Sequence, residues 1–249
     1  MSRRPGPRAS DLPALKRVGH KGADTVAPGN TLESFEAALA AGVDMIEFDV
    51  LRLRDGRLVL AHDYADASRR ELVTLEAGLD HFAGDAYGGI ELDVDLKLPG
   101  YEREVVEGLL SRGLGERSLL SSTYLDSLDA IGLLASGLRR GWSFPRARRD
   151  YTRSALALPA YGVMRYWRAR LPARAAAAIG EGRCEALMAH RLLVTRRLVA
   201  AVRAVGGQLY VWTVDSAEQI GRLEALGVDG VITNDPRLFG GTADLPEPA

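Results

Sequence analysis

The chain has 249 residues, a formal net charge of -1 and 47% hydrophobic residues. This length suits one α/β barrel or two smaller domains, and the near-neutral charge excludes a typical nucleic-acid-binding protein, which carries a strongly basic face. Cys184 is the single cysteine, so an internal disulfide is excluded. No apolar run has the length of a signal peptide core or a membrane span. The composition predicts a soluble cytoplasmic protein.

Nine apolar runs predict β-strands, and helical segments separate most of them, as in a parallel sheet. The strands are expected near residues 17–20, 45–50, 58–62, 90–97, 118–122, 140–144, 186–190, 208–214 and 228–233. The first helix is expected to begin at an N-cap on Asn30 and to stop near Gly42. Further helices are expected over 74–82, 102–111, 125–135, 173–179, 195–205 and 217–226.

The second and third strands are too close in sequence for a parallel crossover. Asp55-Gly56 stands between them and predicts a hairpin. If the turn centres on these two residues, the numbers of paired residues sum to about 111, which places His62 opposite Asp49. Removing this arm leaves eight parallel strands, the number that closes a (β/α)₈ barrel with its active site at the C-terminal mouth.

Carboxylates lie near the C-terminal ends of two predicted barrel strands. Glu47 and Asp49 are two residues apart, so their side chains share one face of a strand, and Asp95 and Lys97 repeat this spacing. Three convergent carboxylates, Glu47, Asp49 and Asp95, predict a site for Mg²⁺ or Ca²⁺, with Mn²⁺ also compatible. The alternative is a buried salt-bridge network in which Lys21 and Lys97 neutralise the acids.

Two of the four histidines end the first strand and the hairpin arm. His20 and His62 therefore converge on the carboxylates, which predicts a role in proton transfer. His190 ends the seventh of the nine predicted strands, where substrate contact and packing are both open interpretations. His81 lies in a predicted outer helix and is interpreted as structural.

Arginines and aromatic residues are interleaved between the fifth and seventh predicted strands, at 118–122 and 186–190. The arginines are residues 139, 140, 146, 148, 149, 153, 165, 168 and 170, and the aromatic residues are Trp142, Phe144, Tyr151, Tyr161, Tyr166 and Trp167. The segment is interpreted as a solvated surface, as a basic lid for an anionic headgroup, or as a weak contact for anionic lipid. Arg146 follows a strand end and is expected to reach the barrel mouth.

Several of these motifs, in this order, resemble the glycerophosphodiester phosphodiesterase family. They are His20-Lys21-Gly22, Pro28-Gly29-Asn30-Thr31, Glu47-Phe48-Asp49, His62-Asp63, Asp95-Leu96-Lys97, Val211-Trp212-Thr213-Val214-Asp215 and the run from Gly227 to Thr233. The likeness covers roughly residues 17–238. It implies one divalent cation on Glu47, Asp49 and Asp95, with His20 and His62 as general acid and base. It also implies that Lys21 and Lys97 contact the phosphodiester and that Trp212 lines the substrate pocket.

The chain departs from the family pattern at four points. Lys21 stands where arginine is usual, which loses the bidentate fork. Gly29 replaces a glutamate, and Asp95 replaces a longer glutamate ligand. Only 32 residues separate His62 from Asp95, where the family usually has a longer insertion.

These observations predict one catalytic barrel over residues 15–239, with flexible segments at 1–14 and 240–249. The expected activity is metal-dependent hydrolysis of glycerophosphodiesters to glycerol 3-phosphate and an alcohol. Two alternatives are a phospholipase D-like enzyme acting on intact phospholipid or lysophospholipid, and a non-catalytic barrel that binds phosphorylated ligands. The expected partner is the small-molecule substrate, without nucleic acid.

Overall fold

The computed structural model describes residues 14–146 and 157–242. The segments predicted to be flexible at the two ends fall almost entirely outside these residues. The same holds for the predicted surface arginines 148, 149 and 153 and for Tyr151.

The described residues contain strands and helices in alternation. The strands are β1 (Lys16–Gly19), β2 (Met45–Arg52), β3 (Leu58–Leu60), β4 (Glu91–Leu96), β5 (Ser118–Ser122), β6 (Arg139–Phe144), β7 (Ala186–His190), β8 (Gln208–Trp212) and β9 (Gly230–Thr233). The helices are α1 (Leu32–Ala40), α2 (Tyr64–Ala67), α3 (Leu75–Phe82), α4 (Glu102–Leu110), α5 (Leu125–Leu134), α6 (Ala157–Gly180), α7 (Arg196–Ala204) and α8 (Ala217–Leu226).

Eight of the strands form a closed parallel barrel. The order is β1-β9-β8-β7-β6-β5-β4-β2, and a pairing between β1 and β2 closes the ring. The remaining strand, β3, pairs antiparallel with β2, makes one isolated bridge from Val59 to Thr74, and forms the predicted arm. The (β/α)₈ fold, the hairpin arm after the second strand and the short connection into β4 are thus confirmed.

Alternate residues of the strands face two separate cores. Residues such as Met45, Leu119 and Met188 pack together inside the barrel, whereas their neighbours Ile46 and Leu120 pack against the surrounding helices. This alternation is the two-residue period of a strand. Because the interior is filled at mid-height, ligands can reach only its ends.

The N-terminal end of the barrel carries paired charges. Glu91 pairs with Lys16 and with Arg139, and Arg140 pairs with Glu185. Arg139 and Arg140 are the first two residues of β6, at the N-terminal end of the barrel. They are therefore separate from the predicted arginine surface, which begins at the opposite end.

The predicted register of the hairpin is wrong by one residue. The ladder pairs Val50 with Leu60, so His62 is not opposite Asp49. The turn has three residues instead of two: Leu53 N donates to Arg57 O, and Gly56 takes a left-handed φ of 92°. An additional loop residue shifts every pair of a hairpin by one.

The N-cap of α1 is Thr31 and not Asn30. Thr31 Oγ1 accepts a hydrogen bond from Ser34 N, whereas Asn30 has a left-handed φ of 61° and a buried side chain. Asn30 is thereby free to serve the site, as described below.

Helix α6 is much longer than the predicted segment 173–179. It spans 24 residues, about 36 Å at 1.5 Å per residue, and contains Pro172. Sequence rules place a helix boundary before a proline, which explains the short prediction. Among the helices of the described residues, none is both long and apolar enough to cross a bilayer.

Candidate active site

Three carboxylates converge at the C-terminal mouth of the barrel. Glu47 and Asp49 project from β2 and Asp95 projects from β4, where the register pairs Asp49 with Asp95. One ligand oxygen from each of the three lies within 4.8 Å of the others. Glu47 and Asp49 are buried, and the side chain of Asp95 is 14% exposed. The predicted cluster therefore exists, on the two strands that were expected to carry it.

Lys97 is part of this cluster. Its Nζ atom lies 2.6 Å from Asp49 Oδ1 and 2.7 Å from Asp95 Oδ2. The alternative of a salt-bridge network is thus partly met, but among the described residues neither Lys97 nor Lys21 forms an ion pair with Glu47 or with the nearby Asp93. Asp95 Oδ1 is buried and has no hydrogen-bond partner among the described residues.

The electrostatics of the cluster show an excess of negative charge. Burial and the charge of Asp49 raise the pKa of Glu47 well above its usual value. Burial also raises the pKa of Asp95, against the opposing effect of Lys97. Burial raises the pKa of Asp93 to about 8, although Ser121 Oγ donates a hydrogen bond to it. For Asp49 burial is outweighed by the positive charge of Lys97, and its pKa is lowered.

The donor set fits a hard divalent cation. Three carboxylates supply oxygen ligands, the kind that Mg²⁺, Ca²⁺ and Mn²⁺ bind. A partnerless buried oxygen on Asp95 is the type of atom that a cation satisfies. The shorter side chain of Asp95, compared with the family's glutamate, does not remove it from the cluster.

Asn30 holds Asp49 from the side away from Lys97. Its Nδ2 donates to Asp49 Oδ2 at 2.8 Å, and its Oδ1 accepts from Asp49 N at 3.0 Å. The sequence pattern indicated a helix cap at Asn30, so this role was not predicted. The signal was available, because asparagine tolerates the left-handed conformation that the loop requires here.

His20 is buried next to the carboxylates. Its Nδ1 lies 2.5 Å from Asn234 Oδ1, and its Nε2 lies 3.9 Å from Glu47 Oε2. Burial, and then the charge of Lys21, lower the pKa of His20 to about 4, so its imidazole is neutral. A neutral imidazole with one free nitrogen can accept a proton.

His62 lies on the arm, and its side chain is 49% exposed. Its Nδ1 is 3.3 Å from Asp63 Oδ2, and its backbone N donates to Asp66 Oδ2 at 3.1 Å. A positive charge on His62 acts on both Asp49 and Asp95. The histidine thus lies within electrostatic range of two of the three carboxylates, although it is not in the predicted register.

Arg70 joins the arm to the rest of the site. Its guanidinium bonds both carboxylate oxygens of Asp66 at 3.1 Å, and donates to Leu60 O at 2.8 Å and to Asn30 O at 3.5 Å. It therefore links the segment that carries His62 to the residue that holds Asp49. Nothing in the motif pattern indicated Arg70 or Asp66.

Lys21 enters the site from the loop after β1. Its backbone N donates to Glu47 Oε2 at 2.8 Å, and its Nζ lies 3.5 Å from Asp24 Oδ2. Although burial opposes it, the charges of Asp49 and Asp24 raise the pKa of Lys21. Asp24 Oδ1 also accepts from Gly29 N, and a Cβ atom on Gly29 would lie 2.5 Å from that oxygen.

His190 and Trp212 form the opposite wall of the mouth. They are paired residues at the ends of β7 and β8; around the ring, β7 is four strand positions from β2 and β8 is four from β4. Their rings meet edge to face with centroids 5.1 Å apart, and Trp212 Nε1 donates to Met188 O. His190 Nδ1 accepts from Leu192 N at 3.3 Å. This aromatic wall lies across the mouth from the carboxylates.

Arg146 lies at the rim, directly after β6. Its guanidinium stacks on the ring of Tyr124, 4.3 Å from the centroid. Farther out, Trp167 packs on Phe144 at the end of β6, so the preceding part of α6 extends beyond the mouth. Arg165 lies in that part of the helix, and Arg168 and Arg170 follow Trp167, where Arg168 Nε donates to Leu192 O.

A sequence profile of the glycerophosphoryl diester phosphodiesterase family matches residues 20–81 and 121–238, more than half of the chain. The chain belongs to this family. It is accordingly a phosphoric diester hydrolase. The unmatched stretch, 82–120, contains the short connection and β4, yet the structure places β4 between β2 and β5 as a complete barrel strand.

Several relatives of this chain match it over most of its length. A glycerophosphodiester phosphodiesterase of Caldanaerobacter subterraneus is 26% identical over 89% of this chain and 95% of its own. A crystal structure of a Silicibacter pomeroyi protein described as a putative glycerophosphoryl diester phosphodiesterase covers 93% of this chain and 94% of its own, with 24% identity and a TM-score of 0.71. An Oleispira antarctica phosphodiesterase, solved in complex with the product sn-glycerol-3-phosphate, covers 95% and 98%, with 20% identity and a TM-score of 0.66.

Proposed function

We propose that residues 15–239 form one catalytic domain that hydrolyses glycerophosphodiesters to glycerol 3-phosphate and an alcohol in a metal-dependent reaction. The observation that carries this proposal is the convergence of three carboxylates and two histidines on one barrel mouth. The names of the family and of the Caldanaerobacter relative support the substrate class, as does the product bound by the Oleispira protein.

Glu47, Asp49 and Asp95 would hold the cation, Mg²⁺, Ca²⁺ or Mn²⁺. When bound there, it supplies positive charge that stabilises the extra negative charge of a phosphodiester under attack. Asn30 keeps Asp49 oriented, and Lys97 holds Asp49 and Asp95 side by side.

The two lysines give the mouth its affinity for an anion. Lys97 Nζ is anchored between carboxylates, so it presents a fixed charge. Lys21 Nζ lies 3.5 Å from Asp24 Oδ2, a long ion pair, so an incoming phosphodiester would compete for it. A lysine contact is a point charge and lacks the bidentate fork of the family's arginine.

His20 and His62 carry the proton transfers. One takes a proton from the nucleophile, which is water or a hydroxyl of the substrate, and the other protonates the leaving alkoxide. In the first case the diester is hydrolysed directly, and in the second a cyclic phosphate forms before hydrolysis.

The opposite wall would receive the organic part of the substrate. His190 and Trp212 present ring edges and faces that suit the carbon backbone of glycerol. Arg146 at the rim stands where the leaving alcohol would extend, with its charge available to an anionic headgroup.

A second candidate is activity on intact phospholipid or lysophospholipid, with weak contact to anionic lipid. Helix α6 favours it: Val163 and Tyr166 are exposed large apolar residues on the part that extends beyond the mouth, and the helix contains four arginines and no acid. Cationic helices with exposed apolar residues bind lipid surfaces.

The experiment is a product analysis with matched substrates. Glycerophosphocholine, glycerophosphoglycerol and lysophosphatidylcholine are incubated with enzyme and EDTA, or with added Mg²⁺, Ca²⁺ or Mn²⁺. Metal-dependent release of glycerol phosphate is expected. Glu47→Gln should lose turnover, whereas Glu76→Gln, a control at an exposed residue, should keep it. Release of choline from lysophosphatidylcholine, without turnover of the two glycerophosphodiesters, would favour the second candidate. Binding of glycerol phosphate without any turnover would show a non-catalytic barrel.

A further inference from the structure

Asp215 is a carboxylate at the rim of the mouth, just after β8, outside the set of residues with a proposed catalytic role. It accepts three hydrogen bonds. Thr233 Oγ1 and Asn234 N donate to its Oδ1 at 3.2 and 2.9 Å, and Asn234 Nδ2 donates to its Oδ2 at 2.8 Å. The carboxylate therefore binds both the backbone and the side chain of Asn234.

The hydrogen bonds to Asp215 determine the orientation of the Asn234 side-chain amide. An ionised carboxylate only accepts hydrogen bonds, so the amide nitrogen must face Asp215. The carbonyl oxygen, Oδ1, then faces the other way, toward His20 Nδ1 at 2.5 Å. A carbonyl oxygen also only accepts, so the proton of the neutral imidazole must be on Nδ1.

Backbone pairing between β1 and β9 keeps His20 and Asn234 next to each other. His20 N donates to Thr233 O at 2.8 Å, continuing the pairing of β1 with β9 that matches Gly19 with Thr233. The ring therefore meets the residue after Thr233 in a fixed register. Its other nitrogen, Nε2, lies 3.9 Å from Glu47 Oε2, on the side of the carboxylate cluster.

We propose that Asp215 is a positioning residue: through Asn234 it fixes the imidazole of His20 in the tautomer with the proton on Nδ1 and a free lone pair on Nε2. This makes His20 the general base and leaves His62 as the general acid. The proposal rests on the proposed function for its catalytic consequence, but the tautomer itself is a property of the protein alone.

The proton balance of the step is complete. His20 Nε2 takes the proton of the nucleophile as its oxygen forms the new bond to phosphorus. The bond to the leaving oxygen breaks, and that oxygen takes a proton from the His62 imidazolium. His62 is half exposed and regains its proton from solvent, while His20 returns its proton to solvent. The net reaction is one water and one diester giving a monoester and an alcohol.

The test is Asp215→Asn, because an amide at this position can donate as well as accept and lets the Asn234 amide turn over. The matched control is Asp235→Asn, whose carboxylate pairs with Arg237 on the same loop. The first readout is the ¹⁵N NMR spectrum of protein labelled in histidine, with His20 assigned from the His20→Ala variant. The wild type and Asp235→Asn are expected to show a protonated Nδ1 and a free Nε2, and Asp215→Asn a mixture of tautomers.

The second readout is kinetic. In Asp215→Asn we expect kcat to fall about 10–100-fold, the usual effect of losing an outer residue that orients a functional histidine, with KM little changed. In a His20→Ala background the same change should have no further effect on kcat. Asn234→Ala removes the relay from the other side and serves if Asp215→Asn does not fold.

An unchanged His20 spectrum in both relay variants would overturn the proposal. So would an unchanged kcat in a folded Asp215→Asn protein whose wild type is active. If instead the wild type turns over no glycerophosphodiester while its spectrum shows the expected tautomer, the proposed function fails and the relay stands.

Discussion

Asn30 and Asp49 are joined by two hydrogen bonds that use both ends of the asparagine amide, one to the carboxylate and one to the backbone N–H of Asp49. Both residues are fully buried. The pair fixes the position and the rotation of a carboxylate that is proposed to bind the metal, and it does so from a loop that has left-handed backbone at Asn30.

Replacing Asn30 by glycine should weaken metal binding. Glycine accepts the left-handed backbone, so this change removes the amide without adding strain. We expect the metal concentration for half-maximal activity to rise about 10–100-fold, as when an outer residue that orients a ligand is lost. Metal titrations of activity and calorimetry measure this, and identical metal affinities would contradict the role of Asn30.

A divalent cation should stabilise the fold. Three clustered carboxylates repel one another, and binding to the native state alone adds about 2.7 kcal/mol at a hundredfold excess over Kd. For a chain of this size that corresponds to a rise in Tm of about 5–10 °C. Differential scanning calorimetry with EDTA or added Mg²⁺ or Ca²⁺ tests it. Glu76→Gln should keep the shift and Glu47→Gln should lose it; no shift with any metal in the wild type would refute the cation site.

The two histidines should respond differently to the leaving group. An activated alcohol such as p-nitrophenol leaves without a proton, so it bypasses the general acid but not the general base. We expect His62→Ala and His20→Ala to lose about 10²–10⁴-fold in kcat on glycerophosphocholine. With a p-nitrophenyl glycerophosphodiester only His62→Ala should recover. Recovery of His20→Ala instead would reverse the assignment.

Arg70→Met should resemble His62→Ala in a milder form. The substitution keeps the apolar stem but releases Asp66, which holds the backbone of His62. We expect a fall in kcat of about tenfold on glycerophosphocholine, within the range seen when a supporting residue is lost, and recovery on the p-nitrophenyl substrate. Arg69→Met is the control, since Arg69 is the exposed neighbour. Equal losses on both substrates would mean that Arg70 acts only on stability.

The barrel and its cluster of three carboxylates follow from local sequence patterns. The two-residue spacing of Glu47 and Asp49 decides which face they share, and the count of apolar runs decides the fold. The register of the arm was not predictable in this way, because one extra turn residue changes it. The length of α6 was hidden by Pro172, which the helix accommodates.

The supports of the histidines could not be predicted because they join positions far apart in sequence. Asn234 meets His20 only because the last strand closes the ring against the first. Arg70 meets Asn30 only because the arm folds back over the loop after β1. Such contacts depend on closure of the whole barrel, and no motif of nearby residues encodes them.

The carboxylate of Asp24 lies where a side chain on residue 29 would begin. A comparison by motif therefore counts one acid too few, because the negative charge has moved to another backbone position and not left the site. Asp24 also forms an ion pair with Lys21. Under the proposed function, binding of a phosphodiester at Lys21 would therefore exchange one anion for another at that ammonium group.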